Sequence, residues 1–333
     1  MQGNNCRGLA LQLLWHLMRG DRRVPIWHPS ERARVTCVTF AGYLCSHRIR
    51  SRTTGNQTMF RFTKDHLRNE LNAKIRFSEV RIAFQPIVDA RSASVWGYEA
   101  LTRGVNGESY PALVADMDEG RRMAFDKLTT ARALREASRL GLIQNGVRLT
   151  LNVRPTADLA AVDAAFVARA AKHYNIPKAS IVLELTEDAK LSCADFHKVV
   201  ALHRSFGIAT GIDDFGSGYS GLNVLASCGA DLVKLDKQLV RGVDTDPTRQ
   251  IIVESFARLC ERLGSLVVAE GVETREEAET LEELGIELMQ GYYFGRPVVG
   301  TPPVLRFVLG DHVRPRGRML EFRSWNGPVT RRA

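Results

Sequence analysis

Two adjacent carboxylates, Asp213 and Asp214, stand at the end of a short apolar run, Ile208 to Ile212, and just before the turn Gly216-Ser217-Gly218. Acids paired at the mouth of a buried strand repel one another unless a cation sits between them, and a divalent metal is the usual remedy. The same residues could equally cap a following helix, and for the pair alone that plainer reading is preferred. Reading every other predicted strand to its end changes the balance. The second brings Glu99, Leu101 and Arg103; the third Asn152; the fourth Glu184 and Glu187; the sixth Lys234 and Asp236; the seventh Glu270 and Glu273; and the last region Gln290. Singly, each has a bland role as a rim salt bridge, a turn acceptor or an acid at a helix N-terminus. Gathered on one rim, roughly five carboxylates beside one lysine would repel strongly unless metal ions neutralised them. The donors are oxygens, with neither Cys nor His at these positions, which points to hard cations, Mg²⁺ or Mn²⁺. Two such ions about 3.5–4 Å apart are a recurrent device for activating water against a phosphodiester.

The elements that must position these side chains alternate along the chain. Strands are predicted over Arg81 to Val88, ending near Pro86, and Val95 to Thr102, with a turn at Asp89 to Ser92 between them. A helix follows over Glu119 to Leu140, with Met123, Leu128, Ala131, Leu134 and Leu140 on its buried face and Gly141 as its stop. Strand Val147 to Val153, helix Ala157 to His173, strand Ile181 to Leu185 and helix Asp195 to Phe206 lead to the strand Ile208 to Ile212. Strand Leu232 to Leu235, helix Thr248 to Leu263, strand Leu266 to Ala269, helix Arg275 to Leu284, a short strand near Leu288 and a helix near Val304 to Leu309 complete the pattern. Strand-then-helix order implies parallel strands with helices outside. Seven or eight such units in about 250 residues favour an α/β fold of the closed, TIM-like β/α-barrel kind over an open doubly wound sheet. No GxGxxG opens the first helix, so a dinucleotide-binding sheet is not supported.

Composition sets the class. The 333 residues are 44% hydrophobic and 25% charged, ordinary for a globular protein. The six cysteines, Cys6, Cys37, Cys45, Cys193, Cys228 and Cys260, form no CxxC pair, which fits reduced thiols in a cytoplasmic protein. No apolar run approaches the roughly 20 residues that span a bilayer. The net charge of +9 is confined to the ends: residues 1–58 carry +7 and 301–333 carry +5, leaving −3 for 59–300. A mildly acidic body argues against a nucleic-acid groove, which depends on clustered Lys and Arg. Three segments are expected: a basic, disordered or mis-assigned stretch over 1–58, the main domain over 59–300, and a basic helix end and tail over 301–333. The run Leu9 to Met18 is followed by Arg19, Arg22 and Arg23 without a small-residue cleavage site, so secretion is not expected, and translation is expected to start near Met59.

Several motifs occur together in one order: Gln85-Pro86-Ile87-Val88, Gly97-Tyr98-Glu99-Ala100-Leu101 with Arg103, Leu151-Asn152, Glu184-Leu185-Thr186-Glu187, Asp213-Asp214-Phe215-Gly216, Lys234-Leu235-Asp236, Ala269-Glu270-Gly271-Val272-Glu273 and Gln290-Gly291-Tyr292. With these, the chain from about Val80 to Val298 resembles the EAL-type cyclic di-GMP phosphodiesterases. The resemblance implies hydrolysis of cyclic di-GMP to linear pGpG with two Mg²⁺ or Mn²⁺ ions. It implies that Glu99, Asn152, Glu184 and Asp213 hold one ion, Asp213 and Asp214 the other, and that Glu270 binds in the same cluster. Lys234 would orient the attacking water and stabilise charge, since a lysine among carboxylates stays protonated. Glu187 would anchor the loop after Asp214. Gln85, Leu101, Arg103, Asp236, Glu273 and Gln290 are the implied substrate-side residues.

Departures from the family pattern are few. Thr102 and Gly104 stand where many members have an apolar residue and an aromatic, and Arg154 places a bulky cation near the rim without removing a ligand. The rival reading is a catalytically silent EAL domain serving as a cyclic di-GMP receptor or protein-binding module, but such members usually lack an acid of the metal set or the lysine. An unrelated Mg²⁺-dependent barrel acting on a sugar phosphate would leave the ordered motifs unexplained. The resemblance also implies a homodimer, with Leu222, Val224 and Leu225 as apolar surface or as core. No GGDEF-like segment is present, and the regulatory partner is not legible.

Overall fold

The structure is a computed structural model; it describes residues 80–305 apart from 155–159, 187–191, 218–221, 223–224 and 226–228. The chain enters through a hairpin. Strand β1 (Val80–Asp89) lies antiparallel to β2 (Ser94–Gly104), in pairing from Val80 opposite Gly104 to Asp89 opposite Ser94. Asp89 Oδ1 accepts from the backbone N–H groups of Arg91 and Ser92 at 2.9 and 3.1 Å, so the acid itself builds the turn. Pro86 does not end β1, which continues to Asp89.

Helices α1 (Tyr110–Val114) and α2 (Glu119–Arg139) come next, α2 opening on Asp118, whose side chain accepts from Arg121 N at 2.8 Å. The buried face of α2 is Phe125, Leu128, Thr129, Ala133, Leu134 and Ala137. It shares only Leu128 and Leu134 with the predicted stripe, because small Ala133 and Ala137 let the helix roll its other side onto the sheet. Then follow β3 (Arg148–Asn152), α3 (Ala160–His173), β4 (Ile181–Thr186), α4 (Cys193–Ser205), β5 (Ala209–Phe215) and β6 (Leu232–Leu235). The series ends with α5 (Lys237–Val240), α6 (Pro247–Leu263), β7 (Leu266–Ala269), α7 (Arg275–Glu283), β8 (Leu288–Met289) and β9 (Val298–Val299).

Strands β2 to β8 are parallel neighbours in chain order, and β1 closes the sheet by pairing with β8 on one side and β2 on the other. The fold is thus a closed, TIM-like β/α barrel, with one correction to the expectation of parallel strands throughout. β1 runs antiparallel to both neighbours, because a four-residue turn can only reverse the chain, whereas a parallel return needs a crossover. β9 adds to β1 at Ala83 and Phe84. The helix expected near Val304 to Leu309 is absent at Val304 and Leu305, and its remainder lies outside the described residues, as do the expectations for 1–58.

The interior of the barrel is layered. Ile87, Trp96, Val182, Leu232, Val268 and Leu288, drawn from six strands, form one buried cluster that plugs the floor. Side chains two residues apart on a strand share a face. One step up therefore lie Glu184 above Val182, Lys234 above Leu232, Glu270 above Val268 and Gln290 above Leu288. Gln85 takes the same level above Ile87, because β1 runs the other way. The alternate positions, among them Leu185, Ile212, Val233, Leu235 and Ala269, pack outward against residues of the surrounding helices such as Val253 and Phe256. An apolar floor thus lies beneath a layer of ionisable and amide side chains.

Candidate active site

Strand register sets the polar layer side by side. Gln85 lies opposite Glu99, Asn152 opposite Glu184, Glu184 opposite Gly211, and Thr186 opposite Asp213. At the middle sits Lys234, 1% exposed, with Nζ 2.7 Å from Glu270, 3.0 Å from Asp213, 3.4 Å from Glu99 and 3.5 Å from Glu184. Burial alone would discharge this ammonium, but Asp213, Glu184, Glu270 and Glu99 outweigh it and hold the lysine well above its usual range.

The acids carry the excess charge. Burial and the neighbouring Asp213, Glu99 and Glu270 push Glu184 well above the carboxylate range against the pull of Lys234. Burial likewise raises Glu270 to about 8, Lys234 opposing. Glu99 goes the other way: its burial is outweighed by Lys234 and by hydrogen bonds from Gln290 and Asn152. Those bonds are short, Gln290 Nε2 to Glu99 Oε2 at 2.7 Å and Asn152 Nδ2 to Glu99 Oε1 at 2.9 Å. Gln290 also donates to Gln85 Oε1 at 3.1 Å, and Gln85 to the carbonyl of Gly295 at 3.2 Å, so an amide pair braces Glu99.

Asp213 and Asp214 reach this layer through an irregularity. The predicted strand ends at Ile212, but β5 continues to Phe215, and its register with β6 shifts between Ile212 and Phe215. Asp214 takes a left-handed backbone, φ +54°, which Asp tolerates better than most residues. Bulges re-aim side chains in this way at the rims of barrels. Gly211 leaves room beneath them: a Cβ there would stand a tight 3.1 Å from Glu184 Cγ and 3.4 Å from Val182 Cγ1. Gly291 is required beside Gln290, since its Cβ would fall 2.0 Å from the Val272 carbonyl oxygen.

Carboxylate oxygens of Glu99, Glu184 and Asp213 lie within 4.8 Å of one another, and so do those of Asp213, Asp214 and Glu270, the two groups sharing Asp213. The donor set is hard oxygen, and Glu184 Oε1 is buried without a hydrogen-bond partner among the described residues. Both features fit divalent cations.

Beside the cluster opens a cavity of about 380 Å³, with Asn152, Asp213 and Asp214 on one side and Leu101, Arg103, Tyr110, Arg122, Asp126 and Arg154 among its other lining residues. Of the predicted substrate-side residues, Leu101 and Arg103 line this cavity; Gln85 and Gln290 belong to the polar layer, and Asp236 and Glu273 lie elsewhere. Asp236 is buried as the N-cap of α5, accepting from Gln238 N at 2.8 Å, and Glu273 is paired with Arg241. Glu187 lies outside the described residues. Sequence reading missed Tyr110, Arg122 and Asp126. The signal was available: Arg122, Asp126, Thr129, Thr130 and Ala133 recur at helical spacing along α2, a stripe that faces the cavity.

The sequence model of the EAL domain matches residues 68–297. The chain belongs to the EAL domain family. This EAL protein is 31% identical over 240 residues to the probable cyclic di-GMP phosphodiesterase PdeN of Escherichia coli, covering 69% of its own length and 45% of PdeN. It is 33% identical over 166 residues to the cyclic di-GMP phosphodiesterase RocR of Pseudomonas aeruginosa, covering 49% of itself and 42% of RocR. It thus spans less than half the length of either relative. Among solved structures, it matches a standalone versatile EAL protein from Vibrio cholerae in its c-di-GMP-bound form, at 37% identity and TM-score 0.64 over 68% of this chain and 96% of that one. The manganese/cy-diGMP complex of Klebsiella pneumoniae BlrP1 matches at 28% identity and TM-score 0.63, over 88% of this chain and 74% of that one. No helix among the described residues is long and apolar enough to cross a membrane.

Proposed function

We propose that this EAL domain is an active phosphodiesterase that hydrolyses one ester bond of cyclic di-GMP to give linear pGpG. The observation that carries the reading is Lys234, buried and ringed by four carboxylates, of which three belong to one candidate cation group and two to the other, Asp213 being shared. Two divalent cations, Mg²⁺ or Mn²⁺, held by Glu99, Asn152, Glu184, Asp213, Asp214 and Glu270, would supply a nucleophilic water at neutral pH and neutralise charge on the phosphodiester.

The chain's own groups do the rest. Lys234 keeps its proton and can donate toward the attacking water and the charge that grows on phosphate oxygens, an electrostatic role rather than that of a general base. Gln85 and Gln290 fix the Glu99 carboxylate, so that no reorganisation is needed as charge develops. Arg103, whose only side-chain bond among the described residues is from Nη1 to the Thr102 carbonyl, retains N–H donors for a phosphate of the ligand. Leu101 lends the cavity apolar wall. Glu187 is assigned to anchoring the loop after Asp214.

A homodimer in the cytoplasm is part of the proposal. Leu222 is 64% exposed and available to a second copy, whereas Leu225 is core and Val224 lies outside the described residues. Light scattering on the full chain tests it, a monomeric mass with full turnover counting against it. The activity itself is tested by incubating the full chain with cyclic di-GMP and Mg²⁺ or Mn²⁺, beside Glu99→Ala, and following pGpG by chromatography. Product from the wild type and none from the variant is expected. Binding of cyclic di-GMP with no product under either ion would instead support the silent receptor.

A further inference from the structure

One arginine of the cavity, a departure from the commoner family pattern, has donors to spare. Arg154 follows Asn152 by two residues, where the loop leaves β3. Its guanidinium is gripped from α2: Nε donates to Asp126 Oδ2 at 2.6 Å, and Nη1 to both oxygens of Glu119 at 2.9 and 3.1 Å. Asp126 is held in turn by Tyr110, whose hydroxyl donates to Oδ1 at 2.6 Å. Nη2 has no partner among the described residues, although the side chain is only 26% exposed and lines the cavity that Asn152, Asp213 and Asp214 also line.

The tie from α2 to the end of β3 already calls for a guanidinium, since two of its nitrogens reach two carboxylates. Those bonds occupy Nε and Nη1, and Nη2 between them keeps its N–H groups. Arg103 and Arg122 line the same cavity, so three arginines gather there in a body, residues 59–300, whose net charge is −3. Asp126 lies among them and, with Glu119, pairs with Arg154, so what an anionic ligand meets on this wall is the N–H groups those pairs leave over.

Building on the phosphodiesterase reading, we propose that Arg154 is a specificity-determining residue that binds the dinucleotide directly. Its unpartnered Nη2 donates to acceptor atoms of the part of the ligand distal to the scissile bond. Two sources share that chemistry: the non-bridging oxygens of the second phosphate, and the O6/N7 edge of a guanine. Asp126 and Glu119 act beneath it as positioning residues that hold the fork in place before the ligand arrives.

The test uses the full chain, measuring turnover to pGpG with saturating Mn²⁺ and binding of cyclic di-GMP by calorimetry in EDTA, where no product forms. In Arg154→Gln, KM and Kd should rise roughly 10- to 100-fold, the loss of a charge-assisted hydrogen bond, with kcat and the Mn²⁺ midpoint within about threefold of wild type. Arg154→Lys should recover part of the affinity, and Asp126→Asn, which keeps the guanidinium but loosens it, should raise KM by less. Asp126→Asn also serves if Arg154→Gln does not fold. Inhibition by cyclic di-AMP, which keeps both phosphates and lacks O6, separates the sources: equal weakening of both ligands in Arg154→Gln assigns the phosphate, and weakening of cyclic di-GMP alone assigns the guanine edge. KM and Kd within twofold of wild type would overturn the proposal. So would a fall in kcat with a raised Mn²⁺ midpoint and unmoved KM, the signature of a residue that only positions Asn152. Failure of the wild type to bind cyclic di-GMP at all would instead remove the phosphodiesterase reading, and this inference with it.

Discussion

Replacing Lys234 by Met separates the electrostatic reading of the site from a merely structural one. Met keeps the length and approximate volume of the side chain and removes only the ammonium. In the wild type that ammonium lies between 2.7 and 3.5 Å from four carboxylates, in a position 1% exposed. Removing one partner of a buried charge group costs about 3–5 kcal/mol, because the charges left behind are unpaired. That loss should appear in urea unfolding when EDTA is present. Divalent cations neutralise the same acids, so with saturating Mn²⁺ the loss should shrink to about 1 kcal/mol, and the variant should bind Mn²⁺ more tightly than the wild type, having lost a competing positive charge. Turnover should nevertheless fall about 10²- to 10³-fold, the usual cost of deleting a donor aimed at developing charge. The three readouts point in different directions, which a packing defect cannot imitate. Equal destabilisation with and without Mn²⁺, or turnover within tenfold of the wild type, would refute the assignment.

Two further outcomes follow from other parts of the barrel. His203 is buried against Thr210, Nδ1 2.9 Å from Oγ1, and burial lowers its pKa to about 4. Its contribution to stability is complete above the unfolded value near 6.5 and is lost as pH falls toward 4, which amounts to about 2 kcal/mol between pH 7 and pH 5. Urea unfolding at the two pH values should show that much less pH dependence in His203→Gln; an identical slope in variant and wild type would reject the reading. Gly211→Ala places a Cβ 3.1 Å from Glu184 Cγ. It should cost about 1–3 kcal/mol by overpacking and raise the Mn²⁺ needed for half-maximal turnover, and an unchanged Mn²⁺ midpoint would show that Glu184 moves aside without consequence.

Sequence alone determined the barrel and the membership of the polar layer. Alternation of apolar strands with helical stretches is a local property, and the ends of those strands could be read one by one. The strands Leu232–Leu235 and Leu266–Ala269 fall where their apolar runs begin and end. The ordered motifs around Glu99, Asn152, Glu184, Asp213, Lys234 and Glu270 then named the family, because family membership is written in residue identity and order. What tertiary structure decided was partnership. The antiparallel entry of β1 puts Gln85 beside Glu99, and only closure against β8 brings Gln290 to both. The register shift in β5 carries Asp213 and Asp214 on as strand residues rather than helix caps. The rotation of α2, set by packing of Ala133 and Ala137 against the sheet, brings Asp126 under Arg154, 28 positions away in the chain. Each of these contacts joins residues distant in sequence, and no local pattern encodes a pairing that exists only once the barrel has closed.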